Sequence, residues 1–200
     1  MKIRQNQSNS SQHWLKKPIL SGAYRKWLID NGSLTARLKA RYADFAVKPV
    51  LLKNAKAFTN ESELLGLKVS QYALIREVLL MGNNQPVVFA HSVLPRTSLR
   101  GAWNGLGRLG NKPLGATLFA NPKVKRTALE YKKLPRQHPI SMRVSRMNHQ
   151  LQLVYSAGTT PAVAEHLKTS PKVLWARRSI FSLSNAKILV TELFLEQLFH

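Results

Sequence analysis

Two apolar runs, each interrupted by charge, restrict what this chain can fold into more than any other feature. In Ile188-Leu189-Val190-Thr191-Glu192-Leu193-Phe194-Leu195, strand alternation puts Ile188, Val190, Glu192 and Phe194 on one face and Leu189, Thr191, Leu193 and Leu195 on the other. Both faces are apolar, so the strand is covered on both sides and Glu192 does not simply face water. A carboxylate in such a place needs a partner, because an unpaired buried charge is very costly. The one similar run, Tyr72-Ala73-Leu74-Ile75-Arg76-Glu77-Val78-Leu79-Leu80, carries Arg76 on the same face as Tyr72, Leu74, Val78 and Leu80. Opposite charges on two core strands predict either a structural Arg76–Glu192 ion pair or a small polar site in an apolar pocket. Charge placement alone leaves both readings open.

The remaining composition narrows the class. A chain of 200 residues with 44% hydrophobic and 20% charged content is a globular domain of ordinary size. It has no cysteine, which excludes disulfides, a thiolate nucleophile and a Cys-based zinc site. Residues 1–12 are polar and lack a signal-peptide core, and no run approaches membrane-spanning length. The expectation is a cytoplasmic protein with a flexible polar segment over residues 1–23 and a domain over residues 24–200.

Charge is the loudest compositional fact, with 31 Lys and Arg against 9 Asp and Glu and a net charge of +22. Such a balance favours acidic partners: nucleic acid, anionic lipid or a carboxylate-bearing metabolite. A nucleic-acid-binding protein gathers its charge on one face and interleaves it with aromatics. Here Lys16-Lys17, Arg37-Lys39-Arg41, Lys123-Lys125-Arg126, Lys132-Lys133, Arg143-Arg146 and Arg177-Arg178 are spread along the whole chain. No nucleic-acid partner is expected, although a basic nucleic-acid-binding protein stays as a rival class. Gly105-Leu106-Gly107-Arg108-Leu109-Gly110 matches the dinucleotide-binding pattern but lacks the preceding strand and following helix that its mechanism requires. The histidines show no metal-ligand spacing and no pairing with acids, and His91 reads as a hydrogen-bonded core or edge residue.

The order of elements is coherent. Residues 24–29 form a helical turn or two, and Ser33 caps a helix over residues 34–42. Residues 45–53 form a strand in which Pro49 is tolerable only at an edge or bulge. Strands over residues 70–81 and 87–94 pair as a hairpin, Ser98 caps a short helix through Leu106, and another short helix spans residues 114–119. A second hairpin joins residues 173–183 and 187–195 through Ser184-Asn185-Ala186. Consecutive hairpins with helices between them predict an α+β domain with a mostly antiparallel β-sheet.

These residues resemble a known family. Leu74-Ile75-Arg76-Glu77-Val78-Leu79-Leu80, Gln85-Pro86, Val93-Leu94-Pro95 and Ser98-Leu99 look like the central part of bacterial chorismate–pyruvate lyases. Leu109-Gly110-Asn111-Lys112-Pro113-Leu114-Gly115 with Leu118-Phe119 is similar to that family's Leu-Gly-Lys-x-Pro-Leu-Gly segment. Leu174-Trp175-Ala176-Arg177-Arg178-Ser179 and Leu189-Val190-Thr191-Glu192-Leu193-Phe194-Leu195 resemble its C-terminal hairpin, in the same order. Residues 135–171 have no counterpart in that pattern and read as an insertion. It is expected to be a surface hairpin, residues 140–146 and 151–155 around Asn148-His149-Gln150.

The resemblance implies a monomer with helical flaps over a buried pocket and no metal or organic cofactor. It implies the conversion of chorismate to 4-hydroxybenzoate and pyruvate, the first committed step toward ubiquinone. Carried over by position, Arg76 holds a carboxylate, Glu192 meets the hydroxyl end of the ring, Leu114 offers backbone to the ligand, and Leu34 lines the pocket. Glu192 then either accepts the hydroxyl hydrogen bond or takes the proton from the carbon bearing that hydroxyl. Arg177 and Arg178 alternate across their strand, so either one of them faces the pocket and takes a second carboxylate or the two form a solvated arginine pair. The rival of the same fold is a non-catalytic effector-binding domain. For the insertion, electrostatic attraction of the dianion comes first and peripheral contact with an anionic membrane second, without membrane insertion.

Overall fold

The computed structural model describes residues 13–156 and 173–199, with backbone alone for residues 148–156. Its strands are β1 (Phe45–Ala55), β2 (Ala73–Gly82), β3 (Gln85–Pro95), β4 (Lys125–Arg126), β5 (Glu130–Pro135), β6 (Val173–Leu183) and β7 (Ala186–Phe194). They form one seven-stranded sheet in the order β1-β2-β3-β7-β6-β4, with β5 also paired to β6. Every pairing is antiparallel. The helices are α1 (Arg25–Leu28), α2 (Leu34–Arg41), α3 (Thr59–Leu65), α4 (Arg96–Arg100), α5 (Leu114–Ala120) and α6 (Pro139–Ser156). The expected α+β class and both hairpins are present.

The hairpin turns fix the register of everything between them. Asn83 and Asn84 have φ of 48° and 63°, and Ser184 and Asn185 have φ of 46° and 65°. Two successive left-handed residues make the tight turn whose twist matches paired strands, and Asn tolerates that region better than most side chains. The second turn is thus two residues long, not three, because Ala186 already pairs with Leu183. This places Arg177 directly opposite Glu192. Pro49 sits where β1 shifts register against β2, on the sheet edge, where its missing N–H costs no ladder bond.

Helices cover both faces, which explains why the central strands are apolar throughout. On one face, Trp27, Leu28, Leu34 and Leu38 pack over Val78, Leu80, Val88 and Phe194. Beside them, Leu114 and Leu118 of α5 meet Phe181 and Ile188. On the other face, Ile140 and Val144 of α6 join Leu79, Phe89, Leu174 and Leu193, while Leu65 of α3 packs on Ile75, Val93 and Leu189. Full burial of each such side chain contributes about 1.5–3 kcal/mol.

Several local expectations are corrected. Residues 140–156 are not a hairpin but α6, because Ile140, Val144 and Met147 recur at helical spacing and turn toward the sheet. The described part of the insertion is therefore core-forming on this face, not a surface elaboration. Ser98 lies inside α4 and donates to the Lys187 carbonyl at 2.9 Å instead of capping a helix. Ser33 does cap α2, accepting from the Ala36 N–H at 3.3 Å. The segment expected to be loose is held from Leu15 onward, since Leu15 and Tyr131 exchange backbone hydrogen bonds of 2.7 and 2.9 Å. Among the described residues, no helix is long and apolar enough to cross a membrane.

Candidate functional site

Glu192 is positioned by the register of the β6–β7 hairpin. Its Oε2 accepts from Arg177 Nε at 2.5 Å, and Arg177 is 1% exposed. Arg177 Nη1 also donates to the carbonyls of Trp27 at 2.8 Å and Asp30 at 2.6 Å. These carbonyls lie at and just beyond the C-terminal end of α1, where backbone acceptors lack helical partners. Arg177 thus neutralises Glu192, fixes its direction and ties α1 to the sheet. Of the two readings left open, the structural Arg76–Glu192 pair does not form: a directly opposed strand neighbour, Arg177, reaches Glu192 instead.

Glu192 opens onto a partly enclosed cavity between the sheet and helices α2 and α5. Leu34 and Leu114 line it with Glu192, as do Val47, Val78, Leu80, Ala90, Ser92 and Val190 from the sheet, and Leu118 and Phe119 from α5. The wall is mostly apolar, and the cavity volume is about 40 Å³. Its cover is close-fitting. A Cβ on Gly115 would come within 3.1 Å of Thr35 Oγ1, so any larger residue there requires Thr35 to give way by a few tenths of an ångström.

Arg76 lies on the same sheet face, one step beyond Val78 and opposite Ser92 in the β2–β3 register. It is 5% exposed. Its Nη2 donates to the carbonyls of Gly110 at 3.0 Å and Lys112 at 2.9 Å, in the segment that leads into the cavity cover at Pro113. Burial pulls its pKa down from the ordinary arginine value. No carboxylate among the described residues pairs with it. A buried cation with only carbonyl partners is an incomplete electrostatic arrangement.

Arg178 is on the opposite face. Its Nε donates to Glu130 at 2.9 Å and its guanidinium lies 4.2 Å from the Trp14 ring centroid. Arg178 thus points away from the cavity, and Arg177 is engaged by Glu192 and by the carbonyls of Trp27 and Asp30. The basic residue that does reach the cavity is Arg126, which sequence reading treated only as part of a charge cluster. Its Nε donates to Ser179 Oγ at 2.8 Å and its Nη1 to the Asn31 carbonyl at 3.1 Å. The one available signal was adjacency to Lys123 and Lys125, which resembles a solvated face.

A second buried charged set occupies the other face. His91 and Glu77 are each 2% exposed, and His91 Nδ1 lies 2.8 Å from Glu77 Oε1. Its Nε2 lies 3.3 Å from Glu61 Oε1 on α3. Arg143 of α6 also pairs with Glu77. Burial lowers the His91 pKa, but hydrogen bonds and charge from Glu61 and Glu77 outweigh it and raise it to about 9. Burial pushes Glu77 up, yet His91 and Arg143 together hold its carboxyl below the usual range. The expectation of histidines without acidic partners is thus corrected at His91. Among the described residues, no group of His, Asp and Glu is arranged to hold a metal ion.

The sequence pattern of the family described as Chorismate lyase matches residues 9–200. A protein from Thiobacillus denitrificans described as "Probable chorismate pyruvate-lyase" is 44% identical over 87% of this chain and 83% of its own length. One of the same description from Methylobacillus flagellatus is 42% identical over 91% of this chain and 92% of its own. Among solved structures, a GntR-family transcriptional regulator from Bacillus cereus has 11% identity and a TM-score of 0.49, covering 78% of this chain and 94% of that one.

Proposed function

This chain belongs to the chorismate lyase family, and we propose that it converts chorismate to 4-hydroxybenzoate and pyruvate in the cavity that ends at Glu192. The observation that supports this most is the unequal treatment of two charges on one sheet face. Glu192 arrives with a partner, whereas Arg76 is buried without a carboxylate. A guanidinium in that state is matched by the ring carboxylate of a bound ligand, which it can grip through two parallel hydrogen bonds. The apolar wall between them suits the flat ring.

In the reaction, the bond between the ring and the enol oxygen breaks and the hydrogen on the hydroxyl-bearing carbon leaves as a proton. The ring becomes aromatic, and the enol takes a proton at its methylene carbon to give pyruvate. Aromatisation supplies a large driving force, so holding the dianion in a reactive pose is the main task of the protein. Arg76 fixes the ring carboxylate. Glu192 accepts a hydrogen bond from the hydroxyl, using acceptor capacity that Arg177 leaves on the carboxylate. Leu34, Leu114 and the other apolar residues exclude water. Because the free space is small, entry of a ring requires the cover formed by residues 32–35 and 113–119 to open and close again.

The product serves as the aromatic precursor of ubiquinone, and the protein works as a cytoplasmic monomer. Its basic surface makes only peripheral contact with anionic membrane; cosedimentation with anionic vesicles and light scattering test these last two points. The reaction itself is tested by incubating the purified protein with chorismate. Pyruvate and 4-hydroxybenzoate should appear in equal amounts. Chorismate that persists at its spontaneous decay rate overturns the reading.

A further inference from the structure

The proposed reaction leaves Arg126 without a part, and any role for this side chain in the cavity rests on that reaction. Arg126 stands on the two-residue strand β4, opposite Phe181. Its guanidinium lies 5.1 Å from the Phe181 ring centroid and 5.5 Å from that of Phe119, and these two rings meet edge to face at 5.8 Å. With Nε on Ser179 and Nη1 on the Asn31 carbonyl, the group is held rigidly before any ligand arrives. Nη2 has no acceptor among the described residues, and no carboxylate there pairs with the side chain. A cation fixed in this way loses little side-chain freedom when it binds an anion.

Its place in the cavity corresponds to one part of the substrate. In chorismate, the ring carboxylate and the hydroxyl stand at opposite ends of the ring, and the enolpyruvyl ether is on the carbon beside the hydroxyl. With the ring carboxylate at Arg76 and the hydroxyl at Glu192, the side-chain carboxylate falls near the Glu192 end, off the ring axis. Arg126 is at that end: its partner Ser179 is paired with Val190, and Arg177 with Glu192 two positions along the same strands. We propose that Arg126 receives the carboxylate of the enolpyruvyl side chain and so distinguishes the dianionic substrate from the monoanionic product. Charge supports the same assignment. Arg177 is balanced by Glu192, which leaves Arg76 and Arg126 to face the two negative charges of chorismate. Once pyruvate departs, only Arg76 is still occupied, and the ring product is held by one arginine.

The test compares substrate and product on the same variants. Wild-type protein must first release pyruvate from chorismate; failure there removes the proposed reaction itself, whatever the variants do. With an active wild type, Arg126→Met should lower kcat/KM for chorismate by roughly 100-fold, as expected when one partner of a buried charge pair is truncated. Its Kd for 4-hydroxybenzoate, read by calorimetry, should stay within about twofold. Arg76→Met should weaken both ligands. Arg126→Lys, the safeguard should the Met variant fail to fold, keeps the charge but loses the fork. It should reduce kcat/KM by roughly 10-fold with product affinity again unchanged. Equal losses for chorismate and 4-hydroxybenzoate, or no loss for either, would overturn the assignment.

Discussion

Both faces of the sheet enclose charged side chains but balance them differently. On the α3/α6 face, Glu61, His91, Glu77 and Arg143 form a closed chain in which every charge touches its opposite. On the α2/α5 face, Arg177 and Glu192 are paired while Arg76 and Arg126 meet only carbonyls, a hydroxyl and aromatic rings. At the centre of each set, at Glu61, Glu77 and His91 on one face and at Arg76 and Arg177 on the other, burial is deep enough for an unpaired charge to be expensive. Under the proposed reaction, the balanced face serves the folded state and the unbalanced face a state that includes an anion.

The largest expected effect comes from breaking the balanced side. Glu77→Ala leaves Arg143 without a carboxylate and His91 with Glu61 alone, and should cost about 3–5 kcal/mol of stability in chemical denaturation. The fraction that stays folded should retain nearly normal affinity for 4-hydroxybenzoate. Arg76→Ala is the mirror experiment. It removes a buried cation that has no carboxylate, so stability should change by less than about 1 kcal/mol, while ligand binding weakens by roughly 2–5 kcal/mol. If Arg76→Ala unfolds the protein and Glu77→Ala abolishes binding in the folded fraction, the division between the faces collapses.

A gentler perturbation of the balanced side is pH. The folded His91 pKa of about 9 lies above its ordinary 6.5. Its contribution to stability is therefore complete below about pH 6.5 and is lost as pH rises through 9. Unfolding free energies measured between pH 6 and 9.5 should fall in the wild type and be flatter in His91→Gln. A wild-type profile no steeper than the variant's would show that the cluster does not hold His91 charged.

On the unbalanced side, Glu192→Gln sharpens the role of the carboxylate. Gln still accepts a hydrogen bond but cannot take a proton. A turnover loss of about tenfold or less suits hydrogen bonding, whereas a loss near 10²–10⁴ would mean general-base catalysis. The smallest expected effect is that of salt on the overall field of +22. KM for chorismate should rise by about two- to threefold between low and high ionic strength, with kcat unchanged. A KM insensitive to salt would confine the electrostatics to Arg76 and its neighbours.

Much of this division was legible in the sequence, but not its pairings. The charged apolar runs located the central strands and marked Glu192 and Arg76 as buried, because alternation makes both faces of those strands apolar. The partner of Glu192 depended on one residue of turn length. A three-residue turn sets Arg178 opposite Glu192, and the two-residue turn at Ser184-Asn185 sets Arg177 there. The His91 cluster draws Glu61 and Arg143 from helices far away in the chain, and neither helix was expected. In α6, Asn148-His149-Gln150 read as a turn and hid the 140, 144, 147 spacing. Arg126 was missed because a two-residue strand has no periodicity, and its neighbours Lys123 and Lys125 look like solvent-facing charge. Local patterns reveal burial; which charges meet is decided by register and by long-range packing.

The most direct test of the central claim is a crystal structure with 4-hydroxybenzoate bound. The ring should lie against Leu34 and Leu114, with its carboxylate within hydrogen-bond distance of the Arg76 guanidinium and its hydroxyl directed at Glu192. A ligand seated on the His91 face, or one in the cavity with its carboxylate away from Arg76, would contradict the account.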